Sequence, residues 1–482
     1  MRSWRRGRAD TTLYEQLSEA YIWVFSAVLI GAMTISAMIQ TRVSIATGCT
    51  ASTCEDARTS LVWASVAGVV AVALAAAQAV GPVMVTPATA AWLLATPVDR
   101  GPLLRSRLAL AALTSGLACG VLVAVTSLLA GLAPTSIVLL GLIGATAGAA
   151  AVMAAATWQS GGGRTTRRAA LVLGALTSGW MLLIATDRAP DTSTTWSGGP
   201  AGWVVLAGAV VLTMVLTIAA LGRLAGLLRA QLVPGGSLVA SLSGALAGLD
   251  LTLAYDVLVS RRWRTVATVR PVRGGPGGVW ALVWRDVVRL RRARGAVMAL
   301  VASLLVPYVV VRLGLDDVIV LASALSAFLA GIWLCSALRT TASNPGLVRC
   351  FPMSRAAVRS ATLVVPGIAL VVWSLAAAPA IAHVVDDSPT RPAGTVLVAL
   401  TTGMAALGAI ARWLLAPPPN YSQPLIASPA GAIPTTLIGS VFRGFDALLL
   451  LTIPLLVAPD ATGSLVSLAL NAALLTFLVN RR

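Results

Sequence analysis

The sequence predicts an all-α polytopic integral membrane protein. About twelve transmembrane helices are expected, arranged as two pseudo-symmetric six-helix halves with the N- and C-termini cytosolic. Three observations predict this: the composition, the recurrence of apolar runs, and the side of the membrane on which the arginines collect. Of 482 residues, 57% are hydrophobic and only 11% are charged, with a mean hydropathy of +0.87. A soluble globular chain carries about a quarter charged residues. Apolar runs long enough to cross roughly 30 Å of hydrocarbon recur along the whole length. All 35 basic residues are arginines. With a cytosolic N-terminus, the alternating loops leave five of them outside (Arg42, Arg58, Arg188, Arg312 and Arg391) and the other 30 inside. That bias is the positive-inside pattern, so the net charge of +18 belongs to orientation against anionic headgroups rather than to nucleic acid.

The elements follow in order. Arg2, Arg5, Arg6 and Arg8 precede the first apolar run, 21–40, whose full spanning length reads as a retained signal anchor rather than a cleaved leader. Runs 60–84, 108–132, 137–157, 169–186 and 201–222 complete a first half over residues 1–222. Residues 223–278 read as a cytosolic or interfacial amphipathic linker ending in the flexible joint Gly274-Gly275-Pro276-Gly277-Gly278. Within it, 237–255 is apolar but contains Asp250. Counting it as a span would place the arginines from Arg285 to Arg294 outside, so an interfacial or re-entrant helix is expected. The second half, 279–482, has runs 296–314, 318–338, 361–384, 394–411, 444–458 and 464–480. A proline-rich segment from Pro417 to Pro434 is expected to lie extended as a connector.

The halves match in layout. Each has an amphipathic piece, two runs, a basic element with the register Pro-x-x-Arg, and a further run. The elements are 86–107, with Pro97 and Arg100, and 340–360, with Pro352 and Arg355. Thr96-Pro97-Val98-Asp99 reads as a helix start, since Thr caps, Pro suits the first helical position and Asp answers exposed amides. That helix would carry Arg100, Arg105 and Arg107. In the second element Arg355 and Arg359 lie one turn apart on one face. Either loop alone is equally an ordinary positive-inside loop with its arginines on lipid phosphates.

Other chemistry is sparse. No Gly-x-x-x-x-Gly-Lys-[Ser/Thr] loop occurs and the chain has no lysine, so any ATP-driven role needs a separate ATPase. A single histidine, His383, excludes a His-Glu-x-x-His zinc site and reads as an interfacial helix cap. Asp250, Asp256 and Asp446 lie at cytosolic or interfacial depth, unlike an intramembrane aspartyl pair. Gln78 and Asn471 are the conspicuous polar residues within runs and read as helix–helix hydrogen bonds. Cys49 and Cys54, in the first external loop, are either a small disulfide or two free thiols. No cofactor, metal site or catalytic residue is expected.

The segments Ala95-Thr96-Pro97-Val98-Asp99-Arg100-Gly101-Pro102-Leu103-Leu104 and Phe351-Pro352-Met353-Ser354-Arg355 resemble the "LPVSRRELL" segment of ABC-2-type exporter permeases. The chain as a whole also resembles an uncharacterised actinobacterial family of arginine-rich polytopic membrane proteins. In the exporters this segment follows the second span of a six-span unit and forms the coupling helix that meets the ATPase. By that resemblance Pro97, Arg100, Arg105, Pro352, Arg355 and Arg359 would lie at an ATPase contact. The expected function is therefore the permease subunit of an ABC-type exporter, driven by a separate, dimeric cytosolic ATPase. It would move a hydrophobic or amphipathic substrate (a lipid, peptide or drug) across the bacterial cytoplasmic membrane. An ATPase-independent carrier or lipid-moving protein, or a membrane scaffold, is the alternative.

Overall fold

Uninterrupted Ala, Leu, Val and Gly runs satisfy every backbone group within a helix, as hydrocarbon requires, and helices dominate the chain. The computed structural model describes residues 52–92, 100–188, 200–247, 250–264, 274–385, 392–417, 425–428, 431–434 and 442–481, with the isolated positions 32, 36, 39, 40, 43, 96 and 272. The first half contains α1 (Ser52–Val80), α2 (Pro87–Trp92), α3 (Arg100–Leu129), α4 (Pro134–Gln159), α5 (Arg164–Ala185) and α6 (Pro200–Arg223). The linker forms α7 (Arg229–Ala247) and α8 (Leu251–Arg264). The second half begins with α9 (Val279–Arg292), α10 (Arg294–Ser303), α11 (Leu305–Arg312), α12 (Ile319–Gly331) and α13 (Ser336–Ser343). It continues through α14 (Pro345–Arg349), α15 (Arg355–Val385), α16 (Pro392–Leu414), α17 (Phe445–Val457) and α18 (Ala461–Asn480).

Among the described residues, nine helices are long and apolar enough to cross a bilayer, or ten if a bent pair is one span. The chain is a multi-pass membrane protein. Its expected first run, 21–40, lies almost wholly outside the described residues. Three expected runs are less regular than their hydropathy. Run 296–314 divides into α10 and α11 because Pro307 has no amide to return to the Ser303 carbonyl. Run 318–338 breaks after Gly331 and turns by 63° into α13. Run 444–458 becomes a 13-residue helix, α17, too short alone to cross the hydrocarbon at about 1.5 Å per residue. Part of the proline-rich segment pairs as an antiparallel hairpin, Leu425–Ser428 with Gly431–Pro434.

Helix α4 packs on α1, α3, α5 and α6, and α16 packs on α12, α15, α17 and α18. Each is thus a packing hub, and their apolar windows are the most buried of the candidate spans, at 56% and 72%. Small residues make the close approach possible. A Cβ at Gly120 of α3 would stand 2.9 Å from the Gly141 carbonyl of α4, and one at Gly403 of α16 would stand 3.1 Å from the Leu370 carbonyl of α15. Asn471 of α18 donates to the Met404 carbonyl of α16 at 2.9 Å, the helix–helix hydrogen bond expected of it. Helix α5 also packs on α11, which brings residues 164–185 against 305–312.

Candidate functional site

Both Pro-x-x-Arg elements share a local build. A short helix opens on a proline, Pro87 in α2 and Pro345 in α14. Thr86 and Asn344 stand just before these prolines, and the Thr86 hydroxyl accepts the Thr89 amide at 3.2 Å. After a few residues the arginine of the motif is the first residue of a long helix, Arg100 in α3 and Arg355 in α15. The three arginines expected on a short basic helix, Arg100, Arg105 and Arg107, ride on the first turns of the 30-residue α3. Pro97 and Asp99 lie outside the described residues, and Pro352 is exposed in the turn before α15.

The arginines of the two elements are not equivalent. Arg105 and Arg107 are exposed while Leu104 and Leu108 beside them are fully buried, so the first turns of α3 are amphipathic. Arg100 is half-buried and Arg355 is exposed. Arg359 is committed elsewhere: it donates to the carbonyls of Leu478, Val479 and Arg481 at 3.1, 3.2 and 2.7 Å, closing the C-terminus of α18. Arginine plays this capping part repeatedly. Arg58 donates to Ala130 at 2.7 Å, Arg223 to Thr157 at 3.0 Å and Arg339 to Leu414 at 3.2 Å. A planar guanidinium suits the orphan carbonyls and negative end of a helix.

The linker is structural. A bond from the Val85 amide to the Leu232 carbonyl (3.3 Å) ties α7 to the approach of α2. A Cβ at Gly235 or Gly236 would meet the Val80 and Val85 backbone, so only glycine fits there. Helices α8 and α9 instead grip the break between α12 and α13. Tyr255 of α8 donates to the Ile332 carbonyl at 3.3 Å and packs against Trp333 with the rings tilted by 45° and their centroids 5.4 Å apart. Arg289 of α9 reaches the Leu334 carbonyl and the Ser336 hydroxyl. Its counter-ion is the buried Asp286, 2.6 Å away. Asp256 of α8 pairs with Arg339 of α13 through contacts of 2.8 and 2.5 Å. Burial pushes the Tyr255 phenol above its ordinary range, so it remains a proton donor. Burial also raises the Asp286 carboxyl, with Arg289 opposing. The neighbouring helices thus supply donors to two carbonyls at the break, that of Leu334 and that of Ile332, which also accepts the Cys335 amide. Hydropathy alone gave no sign of it.

The other singled-out acids are also structural. Asp250 accepts the Thr252 and Leu253 amides at the start of α8 (3.0 and 3.1 Å), and Asp446 accepts from Arg412 (2.9 Å). Cys54 is disulfide-bonded and Cys49 lies outside the described residues. Cys119 and Cys335 are buried free thiols, and Cys350 is exposed in the second element. The His383 side chain lies outside the described residues, and no cluster of metal-ligating side chains occurs among those described.

A final feature lies between the halves. Helix α5 and the α10–α11 pair border an open apolar groove of about 960 Å³, lined by Gly174, Ser178, Leu182, Met298, Ala302 and Tyr308 among others. A model of the family of unknown function DUF6297 matches residues 54–424. The chain belongs to this family. The stretch shared with DUF6297 takes in both Pro-x-x-Arg junctions, the clamp on the broken span and the groove, and stops before α17 and α18. No curated protein matches the chain.

Proposed function

We propose that this chain is the membrane-spanning subunit of an ABC-type exporter, with twelve spans in two six-span halves and both termini cytosolic. It sits in the bacterial cytoplasmic membrane and moves a hydrophobic or amphipathic substrate, driven by a separate, dimeric ATPase. The observation that carries this reading is the recurrence of one device at one step of each half. A proline-led short helix and then an arginine-led long helix, α2 and α3 or α14 and α15, come just before the hub helix, α4 or α16. Two matched junctions on one chain suit a partner with two-fold symmetry. Each junction leads directly into a helix of 30 or 31 residues, about 45 Å long, so displacement at the arginine end reaches the far side of the membrane. Energy has to come from outside, because the sequence has no phosphate-binding loop.

Affinity purification of the full chain in mild detergent tests the proposal. A chain with a Gly-x-x-x-x-Gly-Lys loop and no spans of its own is expected to co-purify and hydrolyse ATP. Arg105→Glu with Arg355→Glu should abolish that association while membrane insertion persists. Unchanged association would remove both elements from the contact.

A further inference from the structure

The groove between the halves has two unlike ends. Its α5 wall is made of small residues at helical spacing, Ala170, Gly174 and Ser178, and bulkier Met298 and Leu305 face them from α10 and α11. The wall from Ala170 to Thr186 is about 24 Å long at 1.5 Å per residue, against about 15 Å for one leaflet of a 30 Å core. No described side chain fills it. A Cβ added at Gly174, Gly179 or Gly295 would meet nothing within 4 Å.

At one mouth the charge is balanced by acids, since Asp187, Asp316 and Asp317 stand there with Arg188 and Arg312. Arg312 pairs with Asp187 at 3.4 Å and donates to the Ala185 carbonyl at 3.4 Å. At the other mouth it is not. Arg167 and Arg168 sit about one turn before Ala170 and Leu171 on the same face of α5, and Arg294 opens α10 beside Gly295. All three are exposed and make no ion pair with a described residue. An apolar trough longer than a leaflet, with three unmatched cations at one end, is complementary to long hydrocarbon chains carrying a negative head.

We propose that this groove binds an anionic phospholipid, with acyl chains along α5 and the phosphate at Arg167, Arg168 and Arg294, and that lipids of this class are the exported substrate. A zwitterionic lipid also has a phosphate, but brings its own cation to the same three arginines. Calling the lipid cargo rests on the permease reading; its binding does not.

The test uses delipidated full-length protein offered equal amounts of phosphatidylglycerol and phosphatidylcholine, with retained lipid counted by native mass spectrometry. Three arginines near a headgroup predict a preference for phosphatidylglycerol of roughly ten- to a hundredfold at low salt. Gly174→Phe fills the groove and should lower retention of both lipids, and Gly179→Leu provides a smaller plug should the first variant misfold. Arg167→Gln, Arg168→Gln and Arg294→Gln together should erase the preference and leave the chains bound. Equal retention by the unaltered protein overturns the proposal. So does unchanged phosphatidylglycerol retention in a monodisperse plug variant. ATPase co-purification from the same membranes is scored separately. A lipid preference without an ATPase keeps the groove and removes the permease; an ATPase without the preference does the reverse.

Discussion

Replacing Arg289 by Met removes the donor that holds the break between α12 and α13 and strands a carboxylate. The Asp286 side chain is only 2% exposed and that of Arg289 is 16% exposed, so this pair is not softened by solvent as a surface pair is. Breaking a buried pair from one side costs about 3–5 kcal/mol. Asp286 has an escape, since protonating an ordinary carboxyl at neutral pH costs about 4 kcal/mol and its affinity for a proton is already raised by burial. That holds the carboxylate share to the lower end of this range, and the uncapped Leu334 carbonyl adds about 1 kcal/mol. The expected loss is therefore about 4 kcal/mol, placed on the break rather than on the whole bundle. Hydrogen exchange on the protein in lipid nanodiscs reads it locally. Amides over 332–343 should exchange roughly a thousandfold faster in Arg289→Met, while those of α4 are unchanged. Adding Asp286→Leu removes the stranded charge, so the double variant should return to roughly a tenfold effect. Unaltered exchange over 332–343, or a double variant as fast as Arg289→Met alone, would refute the clamp.

Other expectations follow from single positions. Gly403→Val should separate α15 from α16 and cost about 1–3 kcal/mol by overpacking, because its Cβ stands 3.1 Å from the Leu370 carbonyl, whereas Gly208→Ala in α6 meets nothing within 4 Å and should melt no lower than the parent. Thermal retention of the monodisperse peak in detergent distinguishes the two. Cys350, the exposed free thiol of the second junction, should react with a membrane-impermeant maleimide in inside-out vesicles and not in right-side-out ones; the opposite pattern would invert the topology. Cys54 should resist alkylation until reduction, and Cys49→Ser should free it, as read by the mass shift of the labelled peptide.

The order and approximate limits of the nine candidate spans among the described residues were legible because hydrocarbon demands long apolar helices and hydropathy measures that demand directly. The position of Pro307 would also have located the split between α10 and α11, had its missing amide been weighed against the Ser303 carbonyl. The break after Gly331 was not legible. Its sequence, Ile332-Trp333-Leu334-Cys335, is as apolar as its surroundings, and what stabilises it comes from Tyr255 and Arg289, distant in sequence. The roles of the arginines divided in the same way. Position along the chain gave their expected side of the membrane. It could not tell Arg359, spent on the α18 carbonyls, from Arg355, which is exposed. The motif register alone made the two look alike.

The two junctions share their order of elements but meet different structures behind them. In the first half the helix before the junction, α1, is continuous over 29 residues, and the approach to α2 is fixed by backbone contacts to α7 that tolerate only glycine. In the second half the corresponding helix is bent by 63°, and its far piece, α13, runs into α14 and the Pro352 turn. The bend is held by side chains: a phenol, a guanidinium and an ion pair, each of which can part without breaking a helix. Equal forces on the two junctions therefore have unequal consequences. On the proposed reading the first is expected to move as a rigid body and the second to change its angle. Helices α7 and α8 are consecutive and grip one junction each, so the linker between the halves is the element through which a change at the bend reaches the rigid side.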